Sequence, residues 1–395
     1  PPRSTLFPYT TLFRSLPELC SRICPQERLC EGNCILNGCS EPVSIGAIER
    51  FINEYALAHE SFTSLGAPPN GFKVAVIGSG PGGIACADEL SRKGYAVTVF
   101  EAQQIPGGLL VNGIPAFKLD KSLVQRRIRV LEKRGVKFRV GIRIGRDLSL
   151  AELRAEFDAV FLGIGAYQAK PLGVPGADLI GVAHALPFLI EKNVKLPLDT
   201  PPIAVENKRV IVLGGGDTAM DCLRTAVRCG ARETLCVYRR DFDNMPGSRK
   251  EYQNALDEGA RFMFLTNPVA LIGNAAGEVK EVRCQRMELG EPDSGGRRKP
   301  RPIPNSEFTL PADLVLVAYG FDPVRFPASS DLSQIKVNSW GAVVVDDNQM
   351  TSVPGVFAGG DLVRGPSLAV HAVRDARKAA AAIHRHLSES IPVPP

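Results

Sequence analysis

No apolar run in these 395 residues approaches the roughly 20 needed to span a bilayer, and the alanine-rich stretch near Ala379 is short and flanked by Lys378 and His384. No membrane role is therefore expected. Charge of one sign is equally scarce, because 47 basic and 42 acidic residues leave a net +5 scattered along the chain. That is too little, and too dispersed, for the footprint of a nucleic-acid binder. The five histidines, His59, His184, His371, His384 and His386, have no ligand spacing with acids, and no Ser-His-Asp arrangement is evident. No acid-base catalytic residue is assigned. The N-terminus lacks a basic region followed by an apolar core, so it does not read as a secretory signal, and a cytoplasmic location is expected. Its first fifteen residues, PPRSTLFPYTTLFRS, repeat TLF, fit nothing that follows and read as a non-native segment. Composition is otherwise ordinary for a globular protein, 44% hydrophobic and 23% charged, and the length suggests two or three domains.

What the chain does have is one glycine pattern twice. VAVIGSGPGGIACADEL carries Gly78, Gly80 and Gly83, with Gly82 beside them, and VIVLGGGDTAMDCLRTA carries Gly214, Gly216 and Ala219, with Asp217 after the second glycine. Each follows an apolar run and opens a helical pattern. In a βαβ unit the first glycine permits the tight turn and the second lets the backbone approach a pyrophosphate. The third, or an alanine, lets the helix pack closely on the strand. The phosphates then rest on a helix N-terminus, where unpaired N–H groups and the dipole favour negative charge.

The copies differ in the strand that follows. YAVTVFE ends on Glu101, an acid able to accept from both ribose hydroxyls and to repel a 2′-phosphate, whereas ETLCVYRR puts Arg239 about where an acid would stand, with Arg240 beside it. Arginines offer forked donors suited to a phosphate. Two dinucleotides are implied: FAD at the first site, and NADPH in preference to NADH at the second.

The remaining pattern organises these motifs. SIGAIERFINEYALAHE reads as a helix with Ile45, Ile48, Phe51, Ile52 and Tyr55 at helical spacing, and SLGAPPNG reads as a linker. IPGGLLVNGIPAFKLDKSL is a Gly- and Pro-rich loop expected to lie over a cofactor, with Gly108 and Leu109 as contacts. VRCQRMELGEPDSGGRRKPRPIPNSEFTL reads as a hairpin with a long polar tip. FDAVFLGIGA and PADLVLVAYGF mirror each other, an acid, an apolar strand and a glycine turn. These matching crossover strands predict an α/β fold of two Rossmann-like dinucleotide-binding domains, the NADPH domain inserted in the FAD domain, preceded by a small helical iron-sulfur segment. The boundaries are drawn at 1–15 for the non-native segment and 16–69 for the helical segment. The FAD domain takes 70–190 and 325–395, and the NADPH domain 191–324. Near the C-terminus, VFAGGDLVRGPSLAVHAVRDARKAAAAI supplies a short strand, a Gly-Gly-Asp turn and a helix starting around Ser367. Gly360, Asp361, Ser367 and Leu368 are candidate flavin contacts. Asp361 would bond the ribityl chain or a water near the phosphates, and the helix would point its positive end at a ring that is negative when reduced.

Five of the ten cysteines fall between Cys20 and Cys39. CSRICPQERLCEGNC holds Cys20, Cys24, Cys30 and Cys34, with Pro25 after Cys24, a spacing that suits an iron-sulfur cluster, with zinc or bare thiols as alternatives. No CxxC lies near either nucleotide site, so a dithiol reductase lacks its working pair. Cys222 and Cys229 read as small apolar residues packed on one helix.

With these residues in view, the chain resembles the small (beta) subunit family of NADPH-dependent glutamate synthase from about Leu16 to Leu387. The likeness rests on ICPQERLCEGNC, SIGAIERFINEYA, GSGPGG, GGLLVNGIPAFKLDK, GGGDTAMDC, VYRRDFDNMPGSRKE and VFAGGDLVRG. The same module is similar to part of dihydropyrimidine dehydrogenase and of related flavin reductases. The resemblance implies that NADPH reduces FAD and that two 4Fe-4S clusters carry electrons to a large (alpha) subunit, which makes glutamate from glutamine and 2-oxoglutarate. It implies Cys24, Cys30 and Cys34 as cluster ligands and Glu49 as an oxygen ligand. Cys20 matches a family cysteine, and Cys39 matches none. The family carries four further cysteines upstream, where this chain has the segment set aside, so neither cluster is expected to close. The competing readings are a related oxidoreductase with a pyrimidine, ferredoxin or sulfur compound as acceptor, and a non-catalytic scaffold.

Overall fold

The computed structural model describes residues 16–59, 67–194, 201–292 and 298–389. The opening fifteen residues, the start of the expected linker and the hairpin tip lie outside them. The chain divides into two units, one made of residues 1–111, 116–168 and 321–395, the other of 112–115 and 169–320.

The first unit holds five parallel strands in the order Val356–Ala358, Ala159–Leu162, Lys73–Ile77, Ala96–Glu101, Lys137–Val140. The second holds five more in the order Val182–His184, Leu314–Val317, Arg209–Leu213, Glu233–Val237, Arg261–Met263. The two orders correspond place for place, each with a crossover strand beside a glycine-bearing one. AVFL and LVLV are buried throughout, as strands covered on both faces of a parallel sheet must be. Phe100, Phe157 and Val160 pack in the first core, and Phe188, Met220 and Leu223 in the second. The expected hairpin is the pair Val279–Pro292 and Arg298–Pro311, joined by Thr266–Gly273 into an antiparallel sheet.

One reading of the sequence, the placing of the domain boundaries, differs from this arrangement. The chain passes between units at 111/112, 115/116, 168/169 and 320/321, not at 190/191 and 324/325. Val182–His184 pairs with Val315 to Val317, and Phe188 and Leu189 of the next helix pack into the second core. A three-residue strand without a glycine pattern gives no sign of its sheet. The helix Ile45–Ala58 forms as read, but Ile48, Phe51, Ile52 and Tyr55 stand exposed at 50%, 69%, 57% and 58%. Its contact with the helix Pro17–Ile23 runs through Glu54 and Arg22. That first helix is anchored by Leu16, Leu19 and Cys20, all buried, and by a two-pronged pair in which Arg127 donates to both oxygens of Glu18 at 2.7 Å.

Candidate functional site

The two glycine turns use the same devices. Gly78 sits at φ +93° and Gly214 at φ +139°, a region that side chains avoid, and a Cβ would meet the crossover-strand carbonyl oxygens of Gly163 at 2.6 Å and Ala318 at 2.4 Å. Both first glycines are thus required by conformation and by neighbour. Gly80 and Gly216 are extended residues that precede the helices Pro81–Arg92 and Asp217–Arg228, and a Cβ on either would meet nothing within 4 Å. Open space therefore faces each helix N-terminus, where a pyrophosphate would be received, and the residues present fit FAD and NADPH in this respect. Gly83 is buried so that a Cβ would lie 1.8 Å from the Gly78 carbonyl oxygen. Ala219 is tolerated in the second copy, where the Gly214 carbonyl accepts from the Cys236 thiol at 3.0 Å. Gly108, at φ +54°, lays the following loop on the first turn, its Cβ position 2.7 Å from Gly80 Cα, and Leu109 opens the short helix Leu109–Asn112. Gly82 faces the C-terminal helix at Ala372.

Glu101 is buried and tied to its turn. One carboxylate oxygen accepts from Ser79 N–H at 3.0 Å and Ser79 Oγ at 2.5 Å, and the other from Gln103 N–H at 2.8 Å. Three donors leave about one of four lone-pair directions for a ribose hydroxyl, fewer than the two bonds expected. Ser79, which sequence reasoning passed over as the variable residue of the pattern, is thus part of the site. Tyr167 was missed as well. Its phenol is pushed well up by burial, with the fields of Glu101 and Asp361 adding to it, so both acids lie within its electrostatic reach. Its only sequence signal is its position just after GIGA.

Gly360, at φ +72°, is followed by a helical turn, Asp361–Arg364, rather than an open Gly-Gly-Asp turn. Asp361 accepts from Ser367 N–H at 3.1 Å, and burial pushes its carboxyl up to about 6 against the opposing pull of that N–H and of Arg364. Arg364 is itself held by Asp375, which also accepts from Gly360 N–H at 3.2 Å. The long helix Ala369–Glu389 starts just after Ser367 and Leu368.

The second copy does not place Arg239 where Glu101 stands in the first. Ile77 pairs with Phe100 and Leu213 with Val237, so the residue in register with Glu101 is Tyr238, and Arg239 lies one place further on. The Tyr238 ring occupies the space beside Gly215, where a Cβ would meet it at 2.7 Å. Arg239 is exposed and lies close enough to Tyr319 to influence its phenol, which burial pushes up to about 12. Arg240 is buried, and its Nε donates to the Arg298 carbonyl at 2.9 Å. The two arginines are therefore not an equivalent pair.

In the N-terminal segment, Cys20 and Cys24 share a hydrogen bond that pulls the Cys24 thiol down, while Cys20 is raised. Glu49 is pushed up to about 8 by burial, with Cys24 and Glu18 adding to it, and its Oε1 is buried without a hydrogen-bond partner. Paired thiols and an orphaned carboxylate oxygen are donors that suit iron. Cys30 and Cys34 lie along the turns that follow, and no three His, Cys, Asp or Glu side chains stand together as a metal-holding group among the described residues. The donor chemistry fits a cluster, and these residues alone do not close one.

Residues 72–376 match the family described as Pyridine nucleotide-disulphide oxidoreductase, and residues 10–61 match dihydropyrimidine dehydrogenase domain II, 4Fe-4S cluster. The chain belongs to the pyridine nucleotide-disulphide oxidoreductase family. The second match begins inside the segment set aside as non-native. The glutamate synthase [NADPH] small chain of Escherichia coli K12 is 46% identical over 93% of this chain and 79% of its own length. The putative oxidoreductase AegA of the same organism is also 46% identical over 93% of this chain, which spans 57% of that protein. Mycobacterium tuberculosis FprA, solved in complex with NADPH, superposes with a TM-score of 0.71 at 20% identity, covering 81% of this chain and 85% of FprA, a likeness of fold. This member of the family is an NADPH-dependent, FAD-containing oxidoreductase with a 4Fe-4S segment, and it stands with the glutamate synthase small chains. No helix among the described residues is long and apolar enough to cross a membrane.

Proposed function

We propose that the chain is an electron-input subunit that oxidises NADPH through FAD. It passes the electrons by 4Fe-4S centres to a large partner subunit that makes glutamate from glutamine and 2-oxoglutarate. The observation that carries the cofactor part is the contrast between two like turns, one closed by a carboxylate bound to Ser79 and the other by the Tyr238 ring, with an exposed arginine one place further on. FAD, when bound, supplies the conversion of a two-electron hydride into single electrons. The chain's own residues bind and orient. Gly80 and Gly216 leave the helix N-termini open to pyrophosphates, Glu101 holds an adenosine ribose, and Arg239 meets a 2′-phosphate. No side chain needs to move a proton for this.

The glutamate part is supported by 46% identity with a glutamate synthase small chain. Equal identity with AegA supports the second reading, an oxidoreductase of the same module with another acceptor. Anaerobic NADPH should bleach the flavin spectrum, and, in protein whose iron and sulfide content shows complete clusters, adding a glutamate synthase large chain with glutamine and 2-oxoglutarate should yield glutamate. A flavin unchanged by NADPH would overturn the whole reading. Bleaching without glutamate would leave only the second.

A further inference from the structure

The segment 241–248, which follows the two arginines, is fastened at its far end. Gly247 N–H donates to the Gly215 carbonyl at 2.9 Å and Ser248 N–H to Asp217 Oδ1 at 2.8 Å, which closes the segment onto the glycine turn. Its middle reaches the hairpin. Asn244 Oδ1 accepts from Arg298 N–H at 3.2 Å, while the Arg298 carbonyl accepts from Arg240 Nε at 2.9 Å. Both backbone groups of one strand residue are thus satisfied from one loop, at the place where the hairpin register breaks between Leu289 and Pro292. The Arg298 side chain secures the opposite strand through the carbonyls of Gly290 and Leu289, each at 3.0 Å. Asn244 is itself fixed, its N–H and Nδ2 donating to Asp241 Oδ1 at 2.9 and 2.7 Å and its carbonyl accepting from the Tyr238 hydroxyl at 3.0 Å. Arg239 is therefore an exposed side chain between two immobilised neighbours, Tyr238 and Arg240.

We propose that Asn244, Arg240 and the Arg298 backbone form a clamp that positions Arg239 for the ribose 2′-phosphate, so that Arg239 determines specificity and Arg240 is a positioning residue. The inference rests on the NADPH reading above. A guanidinium binds phosphate through a directional fork, and holding its backbone in place beforehand lowers the ordering cost on binding. Arg240, although charged and adjacent, is buried with its Nε committed to a carbonyl.

The test is calorimetric binding of NADP+ and NAD+ to the full chain and its variants. Arg239→Ala should lower the NADP+ over NAD+ preference by about 10- to 100-fold, the range for a charge-assisted contact. Asn244→Ala should lower it by about 2- to 10-fold, the range for freeing one ordered side chain. A clamp that acts through Arg239 must do nothing once Arg239 is gone, so Asn244→Ala should add no loss in the Arg239→Ala background. Unchanged NAD+ affinity is the control for folding, and Arg240→Met carries the same cycle if Asn244→Ala fails it. An unaltered preference in Arg239→Ala would overturn the NADPH reading itself. A loss there, with no loss from Asn244→Ala or an equal loss in both backgrounds, would overturn the clamp alone.

Discussion

Gly83→Ala should cost the protein its first dinucleotide. The added methyl would lie 1.8 Å from the Gly78 carbonyl oxygen, 2.9 Å from the Gly78 carbonyl carbon and 3.4 Å from Val76 Cγ1. Ordinary contact needs about 3.5 Å, so the helix Pro81–Arg92 must retreat by on the order of 1.5 Å. The turn cannot yield instead, because Gly78 N–H is held by the Phe100 carbonyl at 2.7 Å and Gly163 N–H by the Ile77 carbonyl at 2.8 Å. The helix is no freer, with Ile84, Ala85, Ala87 and Leu90 all fully buried. Overpacking of this kind costs about 1–3 kcal/mol, a fall in Tm of roughly 3–10 °C, and it withdraws the N–H groups that face the pyrophosphate. Flavin content after desalting and a melting curve measure the two effects. The matched control is Ala219→Gly at the same place in the second copy, where only helix propensity changes, about 1 kcal/mol, and NADPH binding should persist. A Gly83→Ala protein with full flavin and a parental melting curve would refute the close-approach argument.

Arg127→Met should destabilise the protein by about 3–5 kcal/mol, because it strands the buried Glu18 carboxylate. The double variant Arg127→Met/Glu18→Leu should regain most of that in urea denaturation. Glu101→Ala leaves both Ser79 donors without their acceptor, and the protein should lose FAD on dialysis while its choice between NADPH and NADH is unchanged. Asp361 keeps its proton longer when folded, its native pKa of about 6 standing above 3.8, so its contribution to stability falls as pH rises through that window and is constant above it. In flavin-free protein the Tm gain of Asp361→Asn over the parent should therefore widen from pH 4 to about 6, and a gain independent of pH would contradict it.

The glycine patterns and the mirrored crossover strands were legible because each requirement is local: a φ that only glycine takes, a helix that must approach its own turn, a four-residue apolar strand. The inequivalence of Arg239 and Arg240 was not, since it depends on Arg298, 58 residues away in sequence. The edge strand Val182–His184 failed for a similar reason, because its sheet is chosen by Val315 to Val317 and not by anything within it. The stripe Ile48, Phe51, Ile52 and Tyr55 gave the helix correctly but not its exposure, as periodicity states that a face is apolar and not what covers it.

One pair of positions beside the glycine turn differs between the two copies. After the first glycine, Ser79 binds the carboxylate of Glu101, whereas Gly215 leaves room for the ring of Tyr238, the residue in register with that acid. Reversing the second site should therefore require both changes together. Gly215→Ser alone would drive a Cβ to 2.7 Å from the Tyr238 ring and should destabilise the protein. Tyr238→Glu alone would place a carboxylate without the donor that Ser79 provides in the first copy, and it would also cut the Tyr238 bond to Asn244. The double variant removes the clash and supplies the donor, so its effect on stability should be smaller than the sum of the singles. Its carboxylate should repel a 2′-phosphate and lower the NADPH over NADH preference by about 10- to 100-fold. Steady-state rates with the two nucleotides measure the shift, and additive single effects with an unchanged preference would show that the residue after the first glycine has no part in the choice.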